Sequence, residues 1–414
     1  MSSNIIVVGG GAAGLLAGIA AAELGAQVMI LERMRTPGRK MLITGKGRCN
    51  ITNSCEIAEM IRNLPGNGRF LNSALHRFSN DDIINLLESH GLQTKVERGG
   101  RVFPVTDKAK DVVDTLLNIY REKGGKLLVD QMVSKILIED GCVKGVLTND
   151  GNKYTADAVI LTTGGASYPG TGSDGNGFTL AKACGHTIIP LKPSLVPLES
   201  DSEYIKSLQG LSLRNVKVSI CCRDRILASE FGEMLFTHFG FSGPIILSLS
   251  KAVADAFEKG NKDLDLIIDL KPALDMQKLD LRIQRDFANY IRKQLVNGMK
   301  DLLPGRLIPV VLDAAFLNPD KPINQVSKEE RSRLAYNLKN LSFPITGTRP
   351  LAEAIVTAGG VSTTEINPKT FESKIVKRLY FAGEVIDVDG YTGGYNLQAA
   401  FSSGYAAGYA AAQD

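Results

Sequence analysis

The residues with the clearest chemical pattern form a glycine-rich turn near the N-terminus. The spacing GxGxxG falls at positions 9–14, directly after the β-branched run 5–8 and at the start of the Ala-rich stretch 12–24. In a strand–turn–helix unit, this spacing lets backbone N–H groups and the positive end of the helix hold a pyrophosphate. We therefore predict a dinucleotide site at the turn and consider a purely structural glycine turn as the alternative. The residues predicted to form it are Gly9, Gly11, Ala12, Ala13 and Gly14.

An acidic residue supports this interpretation of the turn. Glu32 follows the second apolar strand, residues 28–31, and a carboxylate at that position can accept hydrogen bonds from ribose hydroxyls. A second match to GxGxxG, at residues 170–175, does not directly follow a strand and is predicted to be a loop. The chain therefore has one dinucleotide fingerprint. The turn alone leaves NAD and FAD both open.

A cluster of basic residues comes directly after Glu32. Six cations and no acid lie within residues 33–48, and this local surplus exceeds the net charge of the whole chain, which is +4. Glycines such as Gly45 allow the backbone to approach a ligand closely. We predict that some of these cations neutralise a pyrophosphate or attract an anionic substrate; a solvated loop is the alternative. The six cations are Arg33, Arg35, Arg39, Lys40, Lys46 and Arg48.

Length and composition set the broad class of protein. The chain has 414 residues, of which 44% are apolar and 22% are charged, as in an ordinary globular protein and unlike a disordered chain. The net charge of +4 is too small for a dedicated nucleic-acid binder. We therefore expect a small-molecule substrate and no nucleic-acid partner. The oligomeric state is left open.

The cysteines and the apolar N-terminus bear on localisation. Six cysteines are irregularly spaced, without a disulfide or zinc-binding pattern, which favours a reducing cytoplasm. The apolar segment 5–31 is interrupted by glycines and by Glu23, so we predict neither a signal peptide nor a membrane span there.

The elements that must position these residues indicate an α/β fold. The first thirty residues form a βαβ unit with a parallel sheet, and the alternating pattern of residues 126–162 predicts a small β-meander that returns to this sheet. Residues 187–272 carry short β-rich runs separated by prolines, and amphipathic helices are predicted over 277–303 and 327–341. We predict a Rossmann-type domain interrupted by a β-rich insert and a small helical subdomain.

Two further motifs resemble those of a known superfamily. DAVILTTGG at 157–165 and LYFAGEVID at 379–387 each end a strand in glycines or acids, and together they resemble the second and third FAD-contacting motifs of the glutathione reductase superfamily. Their order after the fingerprint is similar to that of the fumarate-reductase-like branch. In that branch, a substrate domain interrupts the nucleotide domain.

A closer resemblance is to the BaiN/RdsA, or aminoacetone-oxidase-like, family of bacterial NAD(P)/FAD-dependent oxidoreductases. The stretches that carry it are GRKMLITGKGRCNITN at 38–53, GRVFP at 100–104, GEMLFTHFGFSGP at 232–244, VTAGGV at 356–361, and the long run at 372–404. The resemblance implies a discontinuous FAD-binding domain at 1–187 and 350–414. It further implies a β-barrel-like insert at 188–272 and a helical subdomain at 273–349.

The resemblance also implies how FAD is held. Residues 33–53 contain no His, which relatives in the fumarate reductase branch use to attach flavin covalently, so we expect noncovalent FAD. The helix expected from about Asn396 would direct its positive N-terminus at the flavin. Besides the turn residues and Glu32, the predicted cofactor-binding residues are Arg33, Arg39, Lys40, Gly45, Arg48, Asn50, Val133, Thr163, Gly164, Gly383, Glu384, Asp387, Gly394, Asn396 and Leu397.

The catalytic candidates are few. His238 lies in a glycine-containing loop of the insert and could exchange a proton with a substrate, although a structural role is the alternative. Tyr391 and Arg349 are weaker candidates. Cys49 and Cys55 suggest dithiol–disulfide exchange with flavin, but disulfide reductases use four intervening residues and this chain has five, so we expect free thiols. No metal-binding spacing is present in the sequence.

The sequence thus predicts a cytoplasmic flavoprotein oxidoreductase. Flavin N5 would exchange hydride with an unidentified small organic substrate. The other redox partner would be NAD(P)H, as a transient co-substrate, or oxygen. Two alternatives stay open. One is an FAD-dependent tRNA-modifying or tRNA-binding protein, supported only by the basic cluster, and the other is a redox-sensing flavoprotein without turnover.

Overall fold

The structure, a computed structural model, describes residues 3–223 and 225–413. Two compact units are present. Unit 1 contains the chain up to Ser194 and again from Leu351 onwards, and unit 2 is Leu195–Pro350. Each unit has its own hydrophobic core.

The strands alternate with helices at both ends of the chain. The strands are β1 (Asn4–Val8), β2 (Gln27–Leu31), β3 (Thr52–Asn53), β4 (Thr94–Glu97), β5 (Arg101–Pro104), β6 (Lys126–Leu128), β7 (Val133–Glu139), β8 (Cys142–Thr148), β9 (Lys153–Thr155), β10 (Ala158–Leu161), β11 (Ile188–Ser194), β12 (Leu198–Glu199), β13 (Ser212–Cys222), β14 (Arg225–Phe236), β15 (Gly240–Ser242), β16 (Leu264–Asp269), β17 (Leu341–Ile345), β18 (Gly347–Thr348), β19 (Val356–Val361) and β20 (Leu379–Phe381).

The helices are α1 (Ala12–Glu23), α2 (Arg39–Ile43), α3 (Ile57–Arg62), α4 (Asn72–Arg77), α5 (Asn80–Ser89), α6 (Ala109–Glu122), α7 (Asn176–Ala183), α8 (Tyr204–Leu208), α9 (Pro244–Glu258), α10 (Met276–Asn289), α11 (Leu295–Gly298), α12 (Ile308–Ala314), α13 (Lys328–Lys339) and α14 (Tyr395–Gln413). None of the helices among the described residues combines the length and apolar character needed to span a bilayer.

Unit 1 is built on a parallel sheet with strand order β20-β10-β1-β2-β6. The apolar residues of β1 are almost completely buried, as expected for a central strand covered on both faces. Val8 is in register with Leu31 on one side and with Leu161 on the other. The carboxyl ends of β1, β2, β10 and β20 therefore lie along one edge of the sheet, where ligands of such folds bind.

Smaller sheets surround this core. The strands β7, β8 and β9 form the predicted meander, an antiparallel sheet whose register starts at Val133. The strands β3, β5 and β4 form another small antiparallel sheet, and β11 pairs with β19. The α/β class, with a parallel sheet, a meander and additional antiparallel sheets, is confirmed.

Helices α1 and α14 pack at very short range in unit 1. A Cβ built on Gly404 would stand 2.2 Å from the carbonyl oxygen of Ala13, and one on Gly408 would stand 2.1 Å from that of Ala17. Both distances are far below a van der Waals contact, so only glycine allows the approach. This packing places the middle of α14, at Gly404, against the first turn of α1, at Ala13.

Unit 2 contains a seven-stranded sheet with strand order β17-β16-β13-β14-β15-β12-β18. Its core includes an aromatic group in which the rings of Phe236, Phe241 and Phe343 meet edge to face, with centroids 5.5 to 5.7 Å apart. The same core includes Leu279, Ile283 and Leu334 from helices α10 and α13, as well as the strand residues.

The expected division at residue 272 between a β-rich insert and a helical subdomain therefore does not separate two cores. Residues 273–349 are also not helical throughout, because β17 returns to pair with β16. The helix predicted over 327–341 corresponds to α13, whereas the one predicted over 277–303 divides into α10, which ends at Asn289, and the short α11. Their docking onto the sheet depends on a strand pairing across more than seventy residues, which local patterns do not encode.

Candidate functional site

The glycine turn after β1 is shaped by close backbone packing. Gly9 has φ +106°, a conformation that favours glycine. A Cβ on Gly14 would stand 1.9 Å from the carbonyl oxygen of Gly9. By contrast, a Cβ on Gly11 would meet nothing within 4 Å. The first and third glycines of the fingerprint are thus required by the fold, and Gly11 leaves room beside the turn.

The backbone N–H groups at the N-terminus of α1 are open to this space. Gly11 is the N-cap residue, no side chain among the described residues caps the helix, and its first turn contains no acid. The first N–H groups of a helix, here including those of Ala12 and Ala13, lack partners within the helix and carry its positive dipole end. The turn therefore matches the needs of a pyrophosphate.

Glu32 lies beside the same turn, at the carboxyl end of β2. Its Oε2 accepts a hydrogen bond from the Gly10 N–H at 2.7 Å, and its Oε1 accepts one from the Met34 N–H at 2.7 Å. Burial raises the pKa of this carboxyl above its usual value, and the backbone hydrogen bonds oppose the rise. A carboxylate has about four lone-pair positions. Glu32 thus keeps acceptor capacity for a ligand hydroxyl.

The loop after β10 supplies the next side of the site. The Thr162 hydroxyl shares its proton between the carbonyl oxygens of Val8, at 2.9 Å, and Gly9, at 2.8 Å, which fixes this loop to the fingerprint. The neighbouring Thr163 Oγ1 is buried and has no hydrogen-bond partner among the described residues. A buried hydroxyl without a partner is costly. Gly164 continues the loop in the left-handed conformation, with φ +74°.

The loop after β20 closes the same edge of the sheet. Gly383 has φ +76°, and a Cβ at this position would stand 2.8 Å from the Cβ of Ala13. The Glu384 carboxylate that follows forms an ion pair with Lys40, with Nζ and Oε2 2.6 Å apart. Three segments therefore meet at one place: the glycine fingerprint, the basic cluster and the LYFAGEVID motif.

The six cations of the basic cluster have different environments. Arg33 forms an ion pair with Asp174, and Lys40 forms one with Glu384. The Arg48 guanidinium lies 2.8 Å from Glu97 and 4.1 Å from the centre of the Phe103 ring. Half of the positive charge is thus matched by acids distant in sequence. The remaining cations, Arg35, Arg39 and Lys46, are exposed and form no ion pair among the described residues.

Other predicted cofactor residues hold the surrounding loops. When the Asn50 amide is oriented to satisfy its neighbours, its carbonyl accepts the Gly394 N–H at 3.0 Å. Asn396 exchanges hydrogen bonds of 2.8 Å with the backbone N–H and C=O of Gly390, so it closes the loop before α14. Leu397 is half-buried against the core of unit 1.

Asp387 and Val133 each receive a side-chain amide. Asn67 donates to the Asp387 carboxylate at 2.9 Å, and Asn176 donates to the carbonyl of Val133 at 3.1 Å. Gly45, with φ +57°, packs its Cα side against Asn50 and the Phe103 ring. These contacts hold the loops that carry Asp387, Val133 and Gly45.

The catalytic candidates fall in different units. In unit 1, Tyr391 is half-buried, and its N–H donates to the carbonyl of Asn63 at 2.9 Å. In unit 2, the Arg349 guanidinium lies 4.7 Å from the centre of the Phe239 ring and forms an ion pair of 2.8 Å with Glu199. The exposed His238 ring contacts Phe239 edge to face, with centroids 4.9 Å apart. The structure thus brings His238 and Arg349 together through Phe239.

The cysteines are free thiols, and two of them are poor nucleophiles. Burial raises the pKa of the Cys49 thiol to about 12 and that of Cys55 to about 11. Since the thiolate is the reactive form, these values argue against dithiol chemistry at neutral pH.

Several contributors to the site carry no recognisable motif of their own. Asp174 and Glu97 neutralise the basic cluster, and Ser167 and Thr357 contact Glu384. Two of them do lie in stretches that the sequence singles out: Thr357 in VTAGGV and Asp174 in the second GxGxxG match, which is predicted to be a loop. Their contacts, like those of Glu97 and Ser167, join distant segments and are not encoded locally.

The residues present fit FAD. An uncapped helix N-terminus suits its pyrophosphate, the Glu32 carboxylate suits a ribose hydroxyl, and the buried Thr163 hydroxyl without a partner suits a polar group of a ligand. No group of three or more potential metal ligands occurs among residues 3–223 and 225–413.

Comparison with known proteins places the chain in a family. It matches the family described as HI0933-like protein Rossmann domain over residues 3–410. It is 33% identical over 418 residues to a 3-dehydro-bile acid delta(4,6)-reductase from Clostridium scindens, covering 99% of each chain. It is also 33% identical over 409 residues to a ribosomal RNA dihydrouridine synthase from Haemophilus influenzae, covering 98% of this chain and 97% of the relative.

A solved structure supports the fold. The 3-ketosteroid-delta4-(5alpha)-dehydrogenase from Rhodococcus jostii RHA1 matches with a TM-score of 0.54 at 15% identity, over 100% of this chain and 97% of that chain.

The class of protein is therefore an FAD-dependent oxidoreductase with a Rossmann-type FAD-binding domain. Within that class, the chain belongs to the HI0933-like family, which confirms the resemblance carried by its motifs. One of these relatives is named for ribosomal RNA, so the expectation of no nucleic-acid partner stays a prediction.

Proposed function

We propose that this chain is a reductase that holds FAD noncovalently at the carboxyl edge of its parallel sheet and reduces a carbon–carbon double bond conjugated to a carbonyl group. The observation that carries the site is the uncapped N-terminus of α1, flanked by Glu32 and by the Thr163 hydroxyl without a partner. When bound, FAD supplies two-electron chemistry by passing a hydride through flavin N5.

The chain's own residues bind and orient the cofactor. The N–H groups at the start of α1 hold the pyrophosphate, and Glu32 accepts a ribose hydroxyl. The Thr163 hydroxyl and the residues after β20 contact further polar groups. The N-terminus of α14, after Gly394, provides a positive dipole end that favours negative charge on a reduced ring.

The substrate class follows from what the two relatives' names have in common. A 3-dehydro-bile acid delta(4,6)-reductase reduces double bonds in a keto steroid, and a dihydrouridine synthase saturates the ring double bond of uridine. Both bonds are conjugated to a carbonyl group, so hydride can add to the β-carbon while the carbonyl oxygen takes up negative charge. A proton on the α-carbon then completes the reduction. His238 stays our candidate for proton transfer, with Tyr391 and Arg349 as weaker candidates.

Anaerobic reduction tests which electron donor and acceptor serve the enzyme. The FAD-loaded protein is mixed without oxygen with NADH or NADPH, and bleaching of the flavin band is followed. We expect bleaching by at least one nucleotide, and slower reoxidation by air than by a conjugated enone. Failure of both nucleotides to bleach the flavin overturns the NAD(P)H-dependent version. Fast reoxidation by air alone would identify an oxidase.

Acid precipitation tests the noncovalent attachment. We expect a colourless precipitate and FAD in the supernatant. A yellow precipitate contradicts the proposal.

A second candidate function applies the same bond chemistry to uridine within RNA. The basic cluster gives it little support, since half of those cations are paired with acids. A different segment in unit 2 favours it: Arg285, Arg292, Lys293 and Lys300 lie close together in sequence, are all exposed and form no ion pair among the described residues. Lys293 also lies 4.6 Å from the centre of the Tyr290 ring. Cations beside an aromatic ring suit a nucleic-acid backbone and its bases.

A charge-reversal pair separates the two candidates. Binding to ribosomal RNA is measured at several salt concentrations for the wild type, for Arg292→Glu/Lys293→Glu and for the control Lys259→Glu, an exposed cation elsewhere in unit 2. If RNA is the substrate, only the double variant should bind ribosomal RNA more weakly and with a smaller dependence on salt concentration. Equal binding by all three proteins rejects the RNA surface and leaves the small-molecule reductase.

A further inference from the structure

The Lys40 ammonium connects distant segments of unit 1 at the cofactor site. Lys40 lies on α2, and its Nζ donates to Glu384 Oε2 at 2.6 Å and to Ser167 Oγ at 2.8 Å. Ser167 is fully buried in the loop after β10, and Glu384 follows β20. The Lys40 and Glu384 side chains are only 24% and 18% exposed, so solvent screens this ion pair less than a surface pair.

The second oxygen of Glu384 is also held. Its Oε1 accepts the Thr357 N–H at 2.8 Å and faces the Ser167 hydroxyl at 3.2 Å. A Cβ on Gly165 would stand 2.9 Å from this oxygen, so the loop after β10 can approach only through glycine. The carboxylate is therefore fixed from three sides.

Helix α2 is in turn attached to the fingerprint. Gly38, its N-cap residue, has φ +69°, and its N–H donates to the carbonyl of Gly10 at 3.0 Å. The Gly10 N–H donates to Glu32. Two hydrogen bonds therefore link Glu32 through Gly10 to Gly38, and the backbone from Gly38 to Lys40 connects this link to Glu384.

Counting donors and acceptors shows what this network leaves available. An ammonium has three N–H donors, and Lys40 uses two of them among the described residues. Glu384 Oε1 has two partners, whereas Oε2 has one, so Oε2 retains an acceptor position. The pair thus keeps one donor and one acceptor, fixed in orientation.

We propose that Lys40 is a positioning residue of the cofactor site: its ammonium fixes the Glu384 carboxylate so that Oε2 accepts a hydroxyl of bound FAD. The inference rests on the proposed FAD site. Removal of one member of a partly buried ion pair leaves the other charge uncompensated. Without Lys40, the Glu384 carboxylate would keep only the contacts of Oε1 with Thr357 and Ser167, and Oε2 would lose its one partner among the described residues. The positioning role of Lys40 depends on its contacts with Glu384 and Ser167 and not on its positive charge alone.

Titration of the apoprotein with FAD, followed by flavin fluorescence, tests this role. We expect Lys40→Met and Glu384→Gln each to weaken FAD binding by about tenfold or more, which is the scale of one charged hydrogen bond. Lys40→Arg should restore most of the affinity, because it replaces the cation. The double variant Lys40→Met/Glu384→Gln should bind about as weakly as either single variant, because both changes break the same unit.

The control is Lys123→Met, which removes a different ion pair of unit 1, that of Lys123 with Glu23 at 3.3 Å. It should bind FAD as the wild type does. The inference is overturned by wild-type affinity in Lys40→Met, by no rescue in Lys40→Arg, or by additive losses in the double variant. If Lys40→Met does not fold, the near-isosteric Glu384→Gln decides alone, and its wild-type affinity overturns the inference. A wild type that binds no FAD contradicts the proposed function instead.

Discussion

Gly14 approaches Gly9 so closely that a Cβ on Gly14 would stand 1.9 Å from the Gly9 carbonyl oxygen. Gly11, between them, has an open Cβ side and φ −84°, which alanine adopts readily. Two glycines of one motif thus serve different purposes. Gly14 is needed for α1 to pack against the turn after β1. Gly11 is needed to let a ligand reach the backbone of this turn.

A pair of alanine substitutions separates these purposes. Gly14→Ala should lower the free energy of unfolding of the apoprotein by about 1–3 kcal/mol or more, because the turn must move. Gly11→Ala should leave the stability of the apoprotein near that of the wild type and weaken FAD binding by about tenfold or more, since the methyl group stands where the pyrophosphate must approach. Denaturant unfolding and FAD titration measure the two effects. Equal FAD affinity in Gly11→Ala and the wild type would place the cofactor elsewhere.

The close packing of α1 on α14 gives a second prediction. Gly408→Ala should destabilise the protein by about 1–3 kcal/mol, because its Cβ would stand 2.1 Å from the Ala17 carbonyl oxygen. Gly170→Ala is the matched control: its Cβ would meet nothing within 4 Å. Thermal unfolding of both variants checks this. A Gly408→Ala variant as stable as the control would show that the helices can separate without cost.

Stability should depend on pH through His186. Its side chain is fully buried, with Nδ1 3.1 Å from Glu365 and Nε2 2.8 Å from Ser373, and its ring meets Phe381 edge to face. Burial lowers the pKa of His186 below its usual value, although the Glu365 carboxylate opposes this. The folded state therefore favours neutral His186. The contribution of neutral His186 to the free energy of unfolding is fully present above about pH 6.5, the ordinary pKa of His. It is lost as the pH falls below that value.

Unfolding free energies measured from pH 7.5 to 5.5 test this prediction. The loss should approach about 1.4 kcal/mol for each unit that separates the folded and unfolded pKa. His186→Gln should remove this part of the slope, while His76→Gln, at an exposed position, should keep it. A wild type that becomes more stable as pH falls would mean that burial does not dominate and that a charged pair with Glu365 forms.

The comparison of sequence and structure shows which features local patterns encode. The fingerprint and Glu32 are recognisable because the strand, the turn and the acid lie within 32 residues and each has a fixed local geometry. The distinct environments of Lys40 and Arg48 are not recognisable. Both belong to one basic run, yet Lys40 meets Glu384 at the proposed cofactor site, and Arg48 meets Glu97 on a small sheet.

The undivided core of unit 2 is the other feature beyond local patterns. The register of β17 on β16, from Leu341↔Ile268 to Ile345↔Leu264, joins the end of the helical segment to the sheet. Strand pairing of this range depends on the complete fold rather than on propensity.

The most direct test of the proposed function is a single anaerobic half-reaction. The FAD-loaded protein is photoreduced and mixed with an equimolar conjugated enone, a 4-ene-3-keto steroid, or with its saturated ketone as the matched control, and the flavin absorption is followed. We predict that the oxidised flavin band returns with the enone alone, with loss of one carbon–carbon double bond per flavin. Reduced flavin that persists with the enone, and with uridine-containing RNA, would contradict a double-bond reductase and favour a redox sensor without turnover.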